Sequence, residues 1–361
     1  MKNDMEIFAY NKIERDYSKE YSELVISLRS LFNLTREIES PLLCELKPTI
    51  VLCIKWKFDY LSKTHESPFL LKSDIDYWIS ILEMLKKLSK QNWFKTLQLG
   101  DEQNIWKRTK EAFNFMWPRN TQGHDFDRSK EIAEKRLSQI ISMMENGTEQ
   151  ITNKEIFDSG CGPGRYLDVL IQYNPLKCVG LDSGKEITEV TRKRFSNYSN
   201  VEIIRDDCAS LPVDDNSFDF VLSNGVLHHL PNPMEELVKE HARIVRPGGY
   251  FFIFIAGKGG LELEIWKFMR EFLYDIPVEV LFKRFSEKII SLRLQGLLDH
   301  SYGEYQQTNR TDLERLLSNS FSEIQRVPGI KGLDVTEEVF KDDLFFKYRF
   351  GCGNLRYLCR K

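Results

Sequence analysis

The sequence offers no paired cysteine motif. Its seven cysteines, Cys44, Cys53, Cys161, Cys178, Cys208, Cys352 and Cys359, are odd in number and include no C-x-x-C pair. That argues against a disulfide framework and a zinc site, so no metal is expected and reduced thiols in a cytosolic protein are the plain reading. The C-x3-C-x2-C spacing of radical iron–sulfur chemistry is also absent. Long apolar runs are missing. The longest, Ile50–Ile54 and Tyr250–Ala256, fall far below the ~18 residues of a membrane span. Met1–Tyr10 is mixed and acidic without an apolar core, so no leader and a cytoplasmic location are expected. An excess of either charge is lacking too: 51 basic and 54 acidic residues give a net charge of −3. Without a broad basic field, nucleic acid is not favoured as a partner. The most compact basic run, Arg192-Lys193-Arg194, reads as a solvated helix face.

What is present suffices for a packed core, with 42% hydrophobic residues in a chain of 361. That length makes two units the natural expectation. Residues 1–120 read as a helical domain. Ile75, Trp78, Ile79, Leu82, Leu85 and Leu88 recur at steps of three and four, the core stripe of a helix near 74–90. Ser73 and Asp76 have capping-box spacing at its start. Phe113–Gly123, punctuated by Pro118 and Gly123, reads as a bridge, and a polar helix follows over about 129–144.

From 154 onward, strand and helix patterns alternate. Strands are expected at 154–158, 177–182, 201–205, 218–223 and 250–256, and helices at 165–173, 185–195 and 234–245. This predicts an α/β fold, a mostly parallel sheet with helices on both faces. A helix-rich insertion over 258–304 follows the fifth strand. Another helix, near 312–318, is introduced by the capping-box pair Thr311 and Glu314. Strands near 323–327 and 354–359 complete the pattern, and the last of them suits a closing antiparallel strand.

Ile156-Phe-Asp-Ser-Gly-Cys-Gly-Pro-Gly164 stands between the first strand and its helix. A glycine loop there brings backbone N–H groups and a helix N-terminus near a ligand. Its spacing is Gly160-x-Gly162-x-Gly164. The dinucleotide fingerprint needs a small residue where Arg165 stands, so a nucleotide-like cofactor other than NAD is implied. Asp182 ends the second strand, 18 residues after Gly164, where an acid can accept hydrogen bonds from ribose. Asp206-Asp207-Cys208 follows the third strand, where a carboxylate and the next N–H can address adenine. Then come Leu211-Pro212, Phe218-Asp219, Ser223-Asn224-Gly225-Val226-Leu227-His228-His229-Leu230 and Arg246-Pro247-Gly248-Gly249.

In order and spacing, residues 154–256 resemble the cofactor-binding core of class I S-adenosylmethionine-dependent methyltransferases. They are most similar to the ubiquinone/menaquinone-type small-molecule branch, and the resemblance does not extend to residues 1–110. It implies a doubly wound, Rossmann-like, seven-stranded methyltransferase sheet with an antiparallel last strand over 121–361. Ser159 and Cys208 depart from the family pattern, which has an aliphatic residue and an alanine there.

The resemblance also implies roles. Asp158 approaches the cofactor's methionine ammonium, and Gly160, Cys161, Gly162 and Gly164 let the backbone come close. Asp182 holds the ribose, Asp207 and Cys208 the adenine, and Asn224 faces the transferred methyl. S-adenosylmethionine is the expected cofactor and S-adenosylhomocysteine the product. A small-molecule acceptor is expected, methylated on oxygen or carbon. His228 and His229 are candidate general bases, since imidazole titrates near neutral pH. His300, Tyr302 and Trp117 are candidate acceptor-site residues. The insertion 258–304 would serve as a lid, and the first 110 residues would serve acceptor choice or a homodimer. Two other readings are a methyltransferase for protein or RNA, docking through its N-terminal helices, and a cofactor-binding partner protein without catalysis.

Overall fold

The computed structural model describes residues 17–38, 42–89, 105–119, 124–274, 276–286 and 292–361. Before the sheet, the helices are α1 (Ser18–Arg36), α2 (Leu42–Lys63), α3 (Leu71–Ser89), α4 (Ile105–Arg119) and α5 (His124–Met143). Within it come α6 (Arg165–Leu170), α7 (Lys185–Arg194) and α8 (Met234–Ile244). After the fifth strand follow α9 (Leu261–Phe272), α10 (Val278–Ser286), α11 (Leu292–Tyr302), α12 (Arg310–Ser318) and α13 (Phe346–Phe350). The strands are β1 (Glu155–Ser159), β2 (Lys177–Asp182), β3 (Val201–Arg205), β4 (Phe218–Asn224), β5 (Val245–Ala256), β6 (Glu323–Arg326) and β7 (Asn354–Arg360).

These elements form two compact units. One comprises the described residues of 1–100 with 259–276 and 340–351. The other comprises those of 101–258, 277–339 and 352–361. The partition differs from a single cut at 120, and it divides the expected 258–304 insertion. Burial supplies the reason. In α9, Leu261, Ile265, Trp266, Phe268, Met269 and Phe272 are buried around most of the circumference, as in a helix enclosed by others. Its neighbours are α1, α2 and α13. Residues 340–351 join the same unit through Arg349, which is fully buried, ion-paired to Asp343 at 3.0 Å and donating to the Glu66 carbonyl.

In this helical unit, Ile75, Leu82 and Leu85 of α3 are buried on the expected stripe. The capping box at Ser73 is not formed. A 3-10 turn, Pro68–Leu70, leads straight into α3, and Ser67 caps that turn by accepting from the Phe69 amide. Ser73 therefore lies inside the helix and donates to the Leu70 carbonyl. Asp76 accepts instead from Ser27 of α1, at 2.9 Å.

The second unit is built on one seven-stranded sheet of order β3-β2-β1-β4-β5-β7-β6. Neighbours from β3 through β5 are parallel, while β7 runs antiparallel to both β5 and β6. Strand residues point alternately to opposite faces, so adjacent apolar pairs feed two cores. Phe157, Val221 and Phe251 pack with α8 and α12 on one face. Ile156, Phe220 and Phe252 pack with α5 and α6 on the other.

The expected bridge at Phe113–Gly123 is helical as far as Arg119, with Pro118 in the last turn of α4. Thr109, Ala112 and Met116 are buried at steps of three and four, so the amphipathic pattern outweighs the proline. Gly123 lies outside the described residues. The polar helix expected from 129 begins at His124.

At α12, the side chain of Asn309 accepts from the Asp312 amide at 2.8 Å, so Asn309 caps the helix and Thr311 does not. Asn309→Ala is expected to lower unfolding free energy by about 1 kcal/mol. Thr311→Ala, at an exposed position, is expected to change it by less than about 0.5 kcal/mol. Urea unfolding checks both, and the reverse ranking would reject this cap assignment.

Candidate active site

The sheet order reverses between β1 and β4, which in open α/β sheets opens a crevice beyond the carboxyl ends of the strands. Asp158, Asp182 and Asn224 stand at the carboxyl ends of β1, β2 and β4, and Asp207 and Cys208 follow β3. The glycine loop joins this edge in an unusual backbone state. Gly160, Gly162 and Gly164 have φ of +75°, +51° and +79°. A Cβ on Gly160 would sit 2.4 Å from the Val226 side chain, and one on Gly164 would sit 2.4 Å from Phe195. Both positions therefore need glycine for space as well as for angle.

The loop turns its amides inward onto protein acceptors. Gly160 and Cys161 donate to the Leu181 carbonyl at 2.8 and 2.9 Å, and Gly164 donates to Cys161 at 2.9 Å. Gly162 donates to Asp182 Oδ2 at 3.0 Å. The loop is also held from behind by α7. Thr191 donates to the Gly162 carbonyl at 2.8 Å and Arg194 donates to the Pro163 carbonyl. Arg192 donates to the Ile203 carbonyl at 3.0 Å. Two of the three residues of the basic run thus tie the loop and β3, while Arg192 and Lys193 remain exposed as expected of a solvated face.

Asp182 also accepts from the Gly184 amide, through Oδ1 at 2.9 Å. A carboxylate has about four acceptor sites, so Asp182 keeps capacity for a ligand hydroxyl beside its bonds from Gly184, Gly162 and Ser183. Burial raises its pKa, opposed by the bonds from Gly184 and Gly162. Asp207 is exposed, and its Oδ1 accepts from the Ala209 amide at 2.9 Å. Cys208 is buried, and burial pushes its thiol up.

Asp158 and Asn224 carry the clearest sign of a missing partner. Asp158 Oδ2 and Asn224 Oδ1 are buried and accept no hydrogen bond. Orphaned buried oxygens are costly, so they suit a ligand that donates to them. Burial pushes the Asp158 carboxyl up to about 7, with Arg165 opposing and Asp182 adding. A cation at Oδ2 would return it to the ionised form. These residues therefore fit the sulfonium and ammonium end of S-adenosylmethionine. Among the described residues, no group of three or more His, Cys, Asp and Glu could hold a metal ion.

One face of α4 overlooks this edge. The Trp117 ring lies 4.0 Å from the position of a Cβ on Gly162. Asn114 Oδ1 lies 2.7 Å from that of a Cβ on Gly184. Lys110 acts electrostatically on Asp182. The sequence reading missed Asn114 and Lys110. Their signal was the 110-114-117 helical spacing, invisible while 113–123 read as a bridge.

The two histidines differ. His228 is buried, stacked on Tyr305 at 5.1 Å with 10° between planes, and accepts from the Ala256 amide at 3.4 Å. Burial, then His229 and His300, hold its pKa well below the ordinary value. These contacts support packing. His229 Nδ1 lies 2.8 Å from the Glu304 carbonyl, which can only accept, so that nitrogen carries the proton. Nε2 is then the basic atom, 3.8 Å from Asp299 Oδ1. Phe113 meets the ring edge-on at 4.9 Å. His300 is half-buried, 6.4 Å from the Tyr305 ring. Tyr302 is buried with Arg108 over its ring at 4.5 Å.

The sheet order and the glycine loop have the features of a class I S-adenosylmethionine-dependent methyltransferase domain. Independently, residues 157–253 match the family model described as a methyltransferase domain. Similar curated proteins include an uncharacterised 37.1 kDa transposon protein of Streptomyces fradiae, 34% identical over 30% of this chain and 32% of its own length. The "Probable tRNA methyltransferase 9B" of Bos taurus is 35% identical over 30% of this chain and 22% of its own. The fatty-acid O-methyltransferase of Mycolicibacterium smegmatis is 29% identical over 37% and 47%. The chain thus spans less than half the length of these relatives. A solved S-adenosylmethionine-dependent methyltransferase of Mesorhizobium loti superposes with TM-score 0.39 at 14% identity, over 62% of this chain and 95% of the other.

The two departures from the family pattern meet at one buried histidine. His241 Nδ1 donates to the Leu237 carbonyl at 2.7 Å, so Nε2 accepts from the Ser159 hydroxyl at 2.9 Å. Ser159 in turn bonds the Cys208 side chain. Burial lowers the His241 pKa from 6.5 to about 4. Between those values the unfolded chain takes a proton that the native ring refuses, so this residue makes stability fall as pH falls from 6.5 towards 4. His241→Gln keeps a donor and an acceptor but does not titrate. Between pH 7.5 and 5, the wild type is expected to lose about 2 kcal/mol relative to this variant. Parallel urea profiles for the two proteins would remove the assignment.

Proposed function

We propose that this protein transfers the methyl group of S-adenosylmethionine to a small-molecule acceptor, on oxygen or carbon. The observation that carries the reading is the pair of orphaned buried oxygens, Asp158 Oδ2 and Asn224 Oδ1, at the carboxyl ends of β1 and β4. They lie on the same edge as Asp182 and the strand-four histidines. When bound, the cofactor supplies an electrophilic methyl on sulfur, so the protein needs to align the acceptor and exclude water.

Asp158 accepts from the ammonium and Asp182 from the ribose hydroxyls, and Asp207 with the Cys208 amide addresses adenine. Asn224 faces the transferred group. His229 Nε2 removes a proton from the acceptor. Its Nδ1–H stays on the Glu304 carbonyl, and Asp299 faces the imidazolium that results. Trp117 and Tyr305 give the acceptor site aromatic walls, with His300 and Tyr302 as further acceptor-site residues. A tRNA acceptor is the second reading, favoured by the name of one relative, while the net charge of −3 favours a small molecule.

Calorimetric titration with S-adenosylhomocysteine tests the cofactor site. One-site binding is expected for the wild type, and Asp182→Ala is expected to weaken it by roughly 100-fold or more, since the carboxylate serves both loop amides and ligand. A folded wild type that does not bind would overturn the reading. His229→Ala is expected to lower turnover by roughly 10²-fold or more with cofactor affinity within a few-fold. Labelled methyl transfer to fractionated small molecules and to tRNA gives the readout, and unchanged turnover would exclude His229 as the base.

A further inference from the structure

Arg165 is the least explained charge in the second unit. It follows Gly164 directly and opens α6. Its guanidinium lies over two aromatic rings, 5.8 Å from the centroid of Trp117 and 5.5 Å from that of Tyr166. It is half-buried, and among the described residues its side chain makes no hydrogen bond and no ion pair of 4.0 Å or less. The neighbouring arginines differ. Arg194 donates to Pro163, Arg136 pairs with Asp334, and Arg356 pairs with Asp334 at 2.8 Å. Burial also holds the Arg165 pKa down, although Tyr166, Asp158 and Asp299 oppose that shift.

A half-buried guanidinium held over two aromatic rings beside the glycine loop is placed to pair with an anion that enters there. Its planar fork matches a carboxylate with two parallel N–H···O bonds. The surrounding backbone sharpens the case. Because Gly160, Cys161, Gly162 and Gly164 turn their amides to protein acceptors, the loop has little left to offer an anion. Pro163 has no amide to give.

We propose that Arg165 is a carboxylate-binding residue of the methyl-transfer site, receiving a carboxylate between Trp117 and the glycine loop. The inference rests on the proposed function. The carboxylate belongs either to the cofactor's methionine or to the acceptor, and both present the same chemistry to the guanidinium.

The test compares wild type with Arg165→Met and Arg165→Lys by calorimetry. Two cofactor probes are used: S-adenosylhomocysteine, and its decarboxylated analogue, which keeps the ammonium. Octanoate and benzoate, titrated into the S-adenosylhomocysteine complex, probe the acceptor side. If the cofactor supplies the carboxylate, the wild type prefers S-adenosylhomocysteine by roughly tenfold or more. That preference then disappears in Arg165→Met and returns in part in Arg165→Lys. If the acceptor supplies it, the cofactor preference is untouched, and binding of a carboxylate probe is lost in Arg165→Met. Either result supports the proposal. It is overturned if Arg165→Met binds both cofactor probes and both acceptor probes as the wild type does, or if it weakens the decarboxylated analogue equally, which would mark a structural role. A wild type that binds neither cofactor probe would fail the proposed function instead, and that outcome is distinct because it needs no variant.

Discussion

The carboxylate of Asp182 is the constraint on which the rest of the cofactor edge depends. One oxygen accepts from Gly162, in the loop after β1, and the other accepts from Gly184, in the turn after β2. A single side chain thereby fixes two loops from adjacent strands. The loop's inward amides and its positive φ angles follow from this anchor. With Gly162 drawn to Asp182, the preceding amides fall onto Leu181, and Gly164 closes on Cys161. Thr191 and Arg194 then secure the outward carbonyls. The loop amides are thereby spent on protein acceptors, so the proposed function assigns ligand recognition to side chains around the loop, Asp158, Arg165 and Trp117.

The opposite edge of the sheet uses equally recognisable residues for a different purpose. Asp219, near the start of β4, accepts from Arg246 at 2.7 Å and from the Glu155 amide at 2.9 Å. Glu155 completes the cluster by pairing with Arg246. All three lie near the amino ends of their strands, across the sheet from the ligand edge. This clamp holds β1, β4 and β5 in order, so that their carboxyl ends meet in one crevice. Residues that read as family stations on one footing thus separate physically into those that face chemistry and those that set register.

Much of this was legible in sequence because parallel strands and their crossover helices carry strong local patterns. β2 and β3 run over the residues expected, and the glycine loop and strand-end acids fall where their spacing put them. Caps were less legible. Thr311 and Glu314 have capping-box spacing, yet Asn309 supplies the cap, because the chain enters α12 two residues earlier than the apolar pattern suggests. The bridge at 113–123 was misread because a proline near a helix end resembles a proline that ends a helix. That error hid the face of α4 bearing Lys110, Asn114 and Trp117. The roles of Thr191 and Arg194 were not readable at all, since a basic run on an amphipathic helix looks the same whether it meets water or a carbonyl. Nor did any pattern assign 259–276 and 340–351 to the helical unit. Their burial is a matter of tertiary neighbours.

Two buried titrations in the second unit run in opposite directions. Asp158, raised to about 7, takes a proton in the native state before it would in the unfolded chain, so it adds stability as pH falls from 7 towards 4. His241, lowered to about 4, removes stability over nearly the same range. The two contributions oppose each other over that range. Ligand binding breaks that symmetry. His241 sits behind Ser159 and keeps its partners, whereas a cation at Asp158 Oδ2 requires the carboxylate form. On the proposed function, the cofactor displaces a proton from Asp158 below pH 7, and affinity weakens there. The buried carboxyl thus acts on the proposed ligand and the buried imidazole on the fold, although Asp158 and Ser159, the partner of His241, are adjacent residues at the end of β1.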